Sequence, residues 1–261
     1  MPEPHSAKKD TPAPLQLSHQ VRTFETDARG RLTASALLNI LQYTAGKHAD
    51  MLGWSVRGLQ EQGKTWVLQR FYCDIRSLPS DDEIIHITTY PSDADKLLAY
   101  RDYKVENESG DIIVKATSSW VILNLESRRV EPVPAHVAGL SGTFGPRIIR
   151  FRDRRLKAFS PELAENAADF RIRKHDLDLN RHVNNVRYME WGLESVPDSV
   201  FDTQQLRELD IVFKAECFFG DVVRAFSRAI SSEEGYCFEH LLQRSSDSRI
   251  VCLMRSRWHD L

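Results

Sequence analysis

From Thr65 onward, apolar residues recur at every second position. Phe71, Cys73 and Ile75 share one face, as do Ile112, Val114 and Ala116 further on, with Lys115 and Thr117 on the other side. That period belongs to strands. Turn-forming clusters at Leu78–Asp82, Pro91–Asp95 and Asn107–Gly110 divide the region into an antiparallel sheet. Ahead of Thr65 the period is that of a helix. Ala36, Leu37, Ile40, Leu41, Tyr43 and Thr44 predict one long helix, capped at Thr33 or Ser35 and ending near Gly53. Val21–Phe24 reads as a short strand, Asp27–Gly30 as a turn, and Trp54–Gly63 as a loop with a further helical turn.

The second half repeats this order. One fixed offset sets Phe71, Cys73 and Ile75 over Leu209, Ile211 and Phe213, sets Ile112, Val114 and Ala116 over Ile250, Cys252 and Met254, and sets Trp120 over Trp258. A slightly larger offset aligns the helices, so the first half carries extra residues between helix and sheet. A helix on one sheet leaves an apolar flank exposed, and pairing two such units covers it. The chain therefore reads as α+β, with two like units in tandem.

The long helix of the second half is the most distinctive stretch. Val183, Val186, Tyr188, Met189, Trp191 and Leu193 make it apolar most of the way round, which predicts burial. Its entrance carries Asp176, Asp178, Asn180 and His182. In the first half Asp27 lies over Asp178, but Arg29 replaces Asn180 and Arg31 replaces His182. One unit has the polar cluster and the other does not.

Those side chains are of the catalytic type. His182 carries an imidazole that can move a proton, Asn180 donates and accepts at once, and Asp178 is placed to orient either. Backbone N–H groups near His182 and Val183 are the expected holders of a developing oxyanion. Glu216 is the candidate general base, and Cys217 is the competing nucleophile, which with His182 and Asn180 would form a covalent set. Glu216 lies out of phase with the apolar face of Leu209, Ile211, Phe213 and Ala215, so only the seam between halves or a bulge brings it to a site. Taken singly, Asp178 and Asn180 are ordinary turn and capping residues, His182 an interior histidine and Glu216 a surface glutamate. Asn184 and Asn185, just inside an apolar helix, need partners and tie the helix start to backbone or substrate.

The 261 residues hold 41% hydrophobic and 28% charged residues, ordinary for a globular protein. A net charge of -2 argues against general nucleic-acid binding, and no apolar run reaches the ~20 residues of a membrane span. Four scattered cysteines fit reduced thiols in the cytoplasm, and neither they nor the histidines show a metal spacing. Residues 1–16 read as a disordered leader without the features of a secretion or organelle signal. Between the halves lies a linker at 147–166, and in its first part, up to Lys157, Arg147, Arg150, Arg152, Arg154, Arg155 and Lys157 oppose only Asp153. The same residues also suit a plain solvated connection.

Asp178-Leu-Asn180-Arg-His182-Val183-Asn184-Asn185, followed by Tyr188 and Trp191 and then by the Glu216-Cys217 pair, resembles the acyl-ACP thioesterases. The resemblance is dense in the second half and weaker in the first. It implies a tandem (double) hotdog, each half a long central helix wrapped by an antiparallel sheet, with units at 17–146 and 167–261. It implies hydrolysis of fatty acyl-ACP to free fatty acid, no cofactor, and catalytic roles for Asp178, Asn180, His182 and Glu216. The acyl chain would lie largely in the first unit, against Leu37, Leu41, Tyr43 and Trp54, with Asn184 and Asn185 also toward substrate. Acyl carrier protein is acidic, so Arg150, Arg152, Arg154 and Arg155 become candidate docking residues. Plant members carry transit peptides, so the leader points to a bacterial, cytoplasmic protein. Acyl-CoA hydrolysis, a hydratase or dehydratase, and a non-catalytic acyl-binding module remain alternatives, as does pairing into a homodimer.

Overall fold

A computed structural model describes residues 13–260. The first half runs β1 (Leu15–Gln20), α1 (Ala34–Met51), α2 (Val56–Gln60), β2 (Lys64–Ile75), β3 (Ile84–Ala94), β4 (Ala99–Asn107) and β5 (Ile112–Asn124), then short β6 (Val130–Glu131) and α3 (Ala135–Ala138). The second half runs β7 (Asn166–Arg171), α4 (Asn185–Leu193), α5 (Asp198–Thr203), β8 (Gln204–Phe213), β9 (Val222–Ile230), β10 (Tyr236–Arg244) and β11 (Arg249–Asp260). All eleven strands form one antiparallel sheet, in the order β1-β3-β4-β5-β2-β8-β11-β10-β9-β7, with β6 on β5. The order of the second half mirrors that of the first, so each unit is a hotdog and the two meet at β2 and β8.

The register carries the repeat to single residues. Tyr72 faces Asp210 across the β2–β8 junction, and these two stand at the offset read from the sequence, so a pseudo-twofold axis passes between them. Cys73 opposite Ala116 recurs as Ile211 opposite Met254. Trp120 Nε1 donates to Ser118 Oγ at 2.8 Å, and Trp258 Nε1 to Ser256 Oγ at 2.9 Å.

Helices α1 and α4 lie against one face of this sheet and touch each other, α1 on β1 and β3, α4 on β9, β10 and β11. Thr33 caps α1 by accepting the Ala36 N–H at 3.1 Å. One continuous core joins α1 (Leu37, Leu41) and α4 (Val186, Met189) to the strands. Gly192 faces the sheet, where an added Cβ would meet the flexible end of the Met254 side chain.

Three local expectations are corrected. The first strand is Leu15–Gln20, which begins within the last two residues of the segment expected to be a leader, and Thr23–Glu25 is a 3-10 turn instead of a strand. Leu15, Leu17 and His19 face inward in alternation, which stabilises the segment as an edge strand on β3. The rest of the expected leader, residues 1–12, lies outside the described residues. Pro91 does not end a strand: β3 continues to Ala94 through a bulge at Pro91/Asp93, where a residue without an N–H is tolerated. The chain turns instead at Asp95, whose carboxylate accepts the Leu97 and Leu98 N–H groups.

The connection between the halves crosses the opposite face of the sheet. Phe159 is buried there with Val212, Leu241 and Leu253, and Leu156 packs beside them. Arg70 anchors the crossing: it pairs with Asp210 (Nε–Oδ1 2.8 Å), donates to the Asp153 carbonyl at 2.8 Å and stacks on Phe151. Among the described residues, no helix is long and apolar enough to cross a membrane.

Two buried histidines make stability pH-dependent. His240 lies between Ser195 Oγ (3.3 Å) and Ser256 Oγ (2.8 Å), and burial holds its pKa down to about 3. Burial and the neighbouring Arg101 hold His48 down to about 4. Both are neutral in the folded state, while the unfolded chain binds their protons from about pH 6.5 downward. Stability therefore falls with acidification between that value and the folded pKa values, by about 1.4 kcal/mol per pH unit for each histidine. Urea midpoints at pH 7 and pH 5 check this, and His240→Asn is expected to flatten the slope. An equal slope in that variant would remove His240 from the explanation.

Candidate active site

The turn before α4 is built by Asp178. Its Oδ1 accepts the N–H of Asn180 at 2.8 Å and of His182 at 3.2 Å, and its own N–H donates to the His182 carbonyl at 2.8 Å. Arg181 takes φ of 61° to close the loop. The same turn stands in the first half: Asp27 Oδ1 accepts the N–H of Arg29 at 2.8 Å and of Arg31 at 3.0 Å, and Gly30 takes φ of 71°. Since the half without the cluster has the same turn, the Asp178 carboxylate is explained by holding backbone. It positions Asn180 and His182 instead of bonding their side chains.

Glu216 reaches the site because β8 has ended. The strand stops at Phe213, and 214–218 run as irregular backbone, which lifts the alternation that would have turned Glu216 away. Both backbone groups of Cys217 are then tied to the α4 segment. Its carbonyl accepts the Val183 N–H at 3.0 Å, and its N–H donates to Tyr188 Oη at 3.0 Å. Tyr188 is fixed in turn by Trp191 and Phe213. These bonds bring Glu216 Oε1 to 3.4 Å from His182 Nδ1, with both side chains partly exposed (29% and 24%).

Tyr188→Phe tests that chain of contacts. It leaves the Cys217 N–H buried and unpaired, and an expected loss of about 1–3 kcal/mol in stability follows. A fall in turnover should accompany it as Glu216 loosens, read from a denaturation curve and a rate assay on the same sample. Unchanged values in both would show that Glu216 is held by something else.

Two residues of the first half complete the cluster. Arg128, in the turn after β5, forms an ion pair with Glu216 Oε2, and Gln60 of α2 donates to Asn180 Oδ1 at 3.0 Å. The site thus sits on the seam between units. The sequence offered no signal for either residue, since each is an ordinary polar residue far away in the chain.

A cavity of about 790 Å³ opens here. Asn180, His182, Asn185 and Glu216 line one side, and first-half strand residues Trp66, Leu68, Trp120 and Val121 line the other. The first half does supply the apolar wall, but from β2 and β5. Leu37 and Leu41 are core (2% and 0% exposed), and Tyr43 points to solvent, so none of the three borders the cavity. Trp54 borders a second space of about 260 Å³, which shares Trp66 and Trp120 with the first. Asn184 is the cap of α4, accepting the Val186 N–H at 3.0 Å, and does not line the cavity; Asn185 does.

The expected oxyanion donors are also corrected. The His182 and Val183 N–H groups are committed to Asp178 and to the Cys217 carbonyl. The side chains lining the cavity that can donate are those of Asn180, whose amide oxygen already accepts from Gln60, and His182. Cys217 is fully buried and its burial pushes the thiol up, which is the wrong direction for an activated nucleophile.

Arg150, Arg154 and Arg155 are exposed on the crossing segment, and among the described residues none has an acidic side-chain partner. Arg152 is paired with Glu208.

Known proteins share the fold. The family model for the acyl-ACP thioesterase N-terminal domain matches residues 15–140, and that for the C-terminal domain matches residues 160–260. A palmitoyl-acyl carrier protein thioesterase of Cuphea hookeriana is 30% identical over 249 residues, covering 88% of this chain and 59% of its own length. An oleoyl-acyl carrier protein thioesterase of Arabidopsis thaliana is 28% identical, covering 91% and 74%. The chain spans about three-fifths of the length of several curated plant relatives that it matches. Among solved structures, an acyl-ACP thioesterase from Bacteroides thetaiotaomicron superposes with a TM-score of 0.85 at 27% identity, covering 94% of this chain and 98% of that one. The 12:0-ACP thioesterase of Umbellularia californica gives the same TM-score at 22% identity, with 95% and 98% covered, and so shares the fold. With both family models matched in order along most of its length, the chain belongs to the acyl-ACP thioesterase family.

Proposed function

We propose that the chain hydrolyses the thioester of fatty acyl-ACP in the cytoplasm, releasing free fatty acid and holo-ACP and so ending chain elongation. The observation that carries this reading is the His182–Glu216 pair at the side of a cavity whose opposite wall is apolar strand. The acyl chain lies against Leu68 and Val121, and the carbonyl carbon comes to rest beside His182. Glu216 takes a proton from a water as that water attacks the carbon. The oxygen becomes anionic, and the Asn180 amide donates to it. Collapse breaks the C–S bond; His182 gives its Nε2 proton to the departing thiolate and takes the proton held by Glu216 at Nδ1, which restores both groups. Arg128 holds the Glu216 carboxylate in place, and Asp178 holds the turn that presents Asn180 and His182. Direct attack by water needs no acyl-enzyme, which agrees with the buried, protonated Cys217.

An acidic carrier fits the exposed guanidiniums of the crossing segment, with Arg150, Arg154 and Arg155 available and Arg152 bound to Glu208. The Arg154→Glu/Arg155→Glu double variant is expected to raise KM for acyl-ACP by about tenfold, with hydrolysis of a small thioester unchanged. An unchanged KM would move the docking surface elsewhere. Loss of small-thioester activity would mean that the variant damages the enzyme itself.

A further inference from the structure

The pseudo-twofold axis that creates the catalytic cavity also creates a second one. A cavity of about 630 Å³ opens where the first-half turn, Asp27 to Thr33, meets β8 and Trp258. Each component has its counterpart across the axis. Leu206 and Trp258 stand where Leu68 and Trp120 line the catalytic cavity. Leu78 occupies the position equivalent to Glu216, at the offset that relates Tyr72 to Asp210. Arg29 and Arg31 stand in the places of Asn180 and His182, on a turn with the same hydrogen bonds.

This second cavity has lost the means to activate water but remains open. It keeps apolar walls (Leu78, Phe170, Leu206, Trp258) beside charged groups. Four of the five lining carboxylates are paired: Asp27 with Arg29, Asp169 with Arg224, Asp176 with Arg173, and Glu190 with Arg187. Glu194, exposed just beyond α4, is the fifth. Among the described residues, the lining guanidiniums of Arg31 and Arg171 have no acidic partner, and Arg31 is half-buried. A half-buried guanidinium next to an apolar slot recognises an anionic head on a hydrocarbon tail, and a carboxylate matches its geometry in two hydrogen bonds. A thioester carries no charge at the same carbon.

We propose that this cavity binds a long-chain carboxylate without hydrolysing it, its head on Arg31 and its chain along Leu78, Leu206 and Trp258. The inference goes beyond the hydrolytic reading and rests on the cavity and its charges. Binding is measured without turnover, so the two readings fail separately.

The test uses a palmitate analogue carrying a diazirine on its chain. It is cross-linked to the full-length protein and mapped by mass spectrometry, alongside equilibrium dialysis of palmitate. Label is expected on the catalytic cavity and, separately, on the Leu32–Ser35 and Met189–Leu193 segments. Arg31→Gln is expected to lower palmitate affinity for the second cavity by about tenfold or more, and Arg31→Lys to preserve most of it. Initial hydrolysis rates should be unchanged in both, which also reports that they fold. Label confined to the catalytic cavity would overturn the proposal. So would second-cavity labelling that ignores Arg31→Gln, or that hexadecanol suppresses as well as palmitate does, since no charge would then be read.

Discussion

Replacing His182 with alanine is expected to lower kcat by about 10²–10⁴ while the protein stays folded. The two halves of that expectation have separate causes. The imidazole contacts Glu216 through Nδ1 and rests edge-on against Phe218, and its loss removes the group that returns a proton to the leaving thiolate. The turn itself is held by bonds from the Asp178 carboxylate to main-chain N–H groups, which alanine retains. The ring is partly exposed, so little apolar packing is lost. Glu216→Gln should produce a similar loss, and the double variant should be little worse than the more damaged single one, because groups that act as a unit are not additive. Asn180→Ala should also cost turnover, and it additionally releases Gln60. Steady-state kinetics with circular dichroism on each variant check this set. Near-normal turnover in His182→Ala would remove it from the chemistry, and independent, multiplying losses would show that His182 and Glu216 do not work as a pair.

Arg70→Met is expected to destabilise the fold by about 3–5 kcal/mol. Arg70 and Asp210 have side chains only 7% and 6% exposed, on the strands where the units join. Removing the guanidinium leaves a buried carboxylate without its partner and frees the Asp153 and Arg154 carbonyls of the crossing segment. The cost comes from that stranded charge more than from the strength of the pair. An Arg70→Met/Asp210→Leu double variant should therefore recover most of the loss. Denaturant midpoints of the three variants decide it. A single variant within about 1 kcal/mol of wild type would mean that water reaches Asp210 once Arg70 is gone.

Much of this was legible from residue patterns, because the repeat is written in apolar periodicity. Phe71–Ile75 over Leu209–Phe213 gave the offset that the β2–β8 register then repeats, and Trp120 and Trp258 proved to make the same hydrogen bond. The polar entrance to α4 could be read for the same reason, since amides and a histidine stand out beside a buried helix. Gln60 and Arg128 could not, because their roles arise only when distant halves are brought together across the seam. The alternation of Leu15, Leu17 and His19 was a real strand signal, obscured by the polar segment before it. Glu216 was ambiguous because parity applies only inside a strand, and nothing in the local sequence marks Phe213 as its last residue. The tunnel wall was misassigned to α1 because a helix facing the core and one facing a cavity have the same period.

The measurement closest to the central claim follows free-thiol release by the purified protein on a panel of acyl-ACPs and the matching acyl-CoAs. Faster turnover on the ACP series, with a clear optimum in chain length and loss of activity in His182→Ala, is the expected result. Preference for CoA would keep the site and discard the carrier. No thiol release on either series would contradict hydrolysis as the function of the His182–Glu216 site.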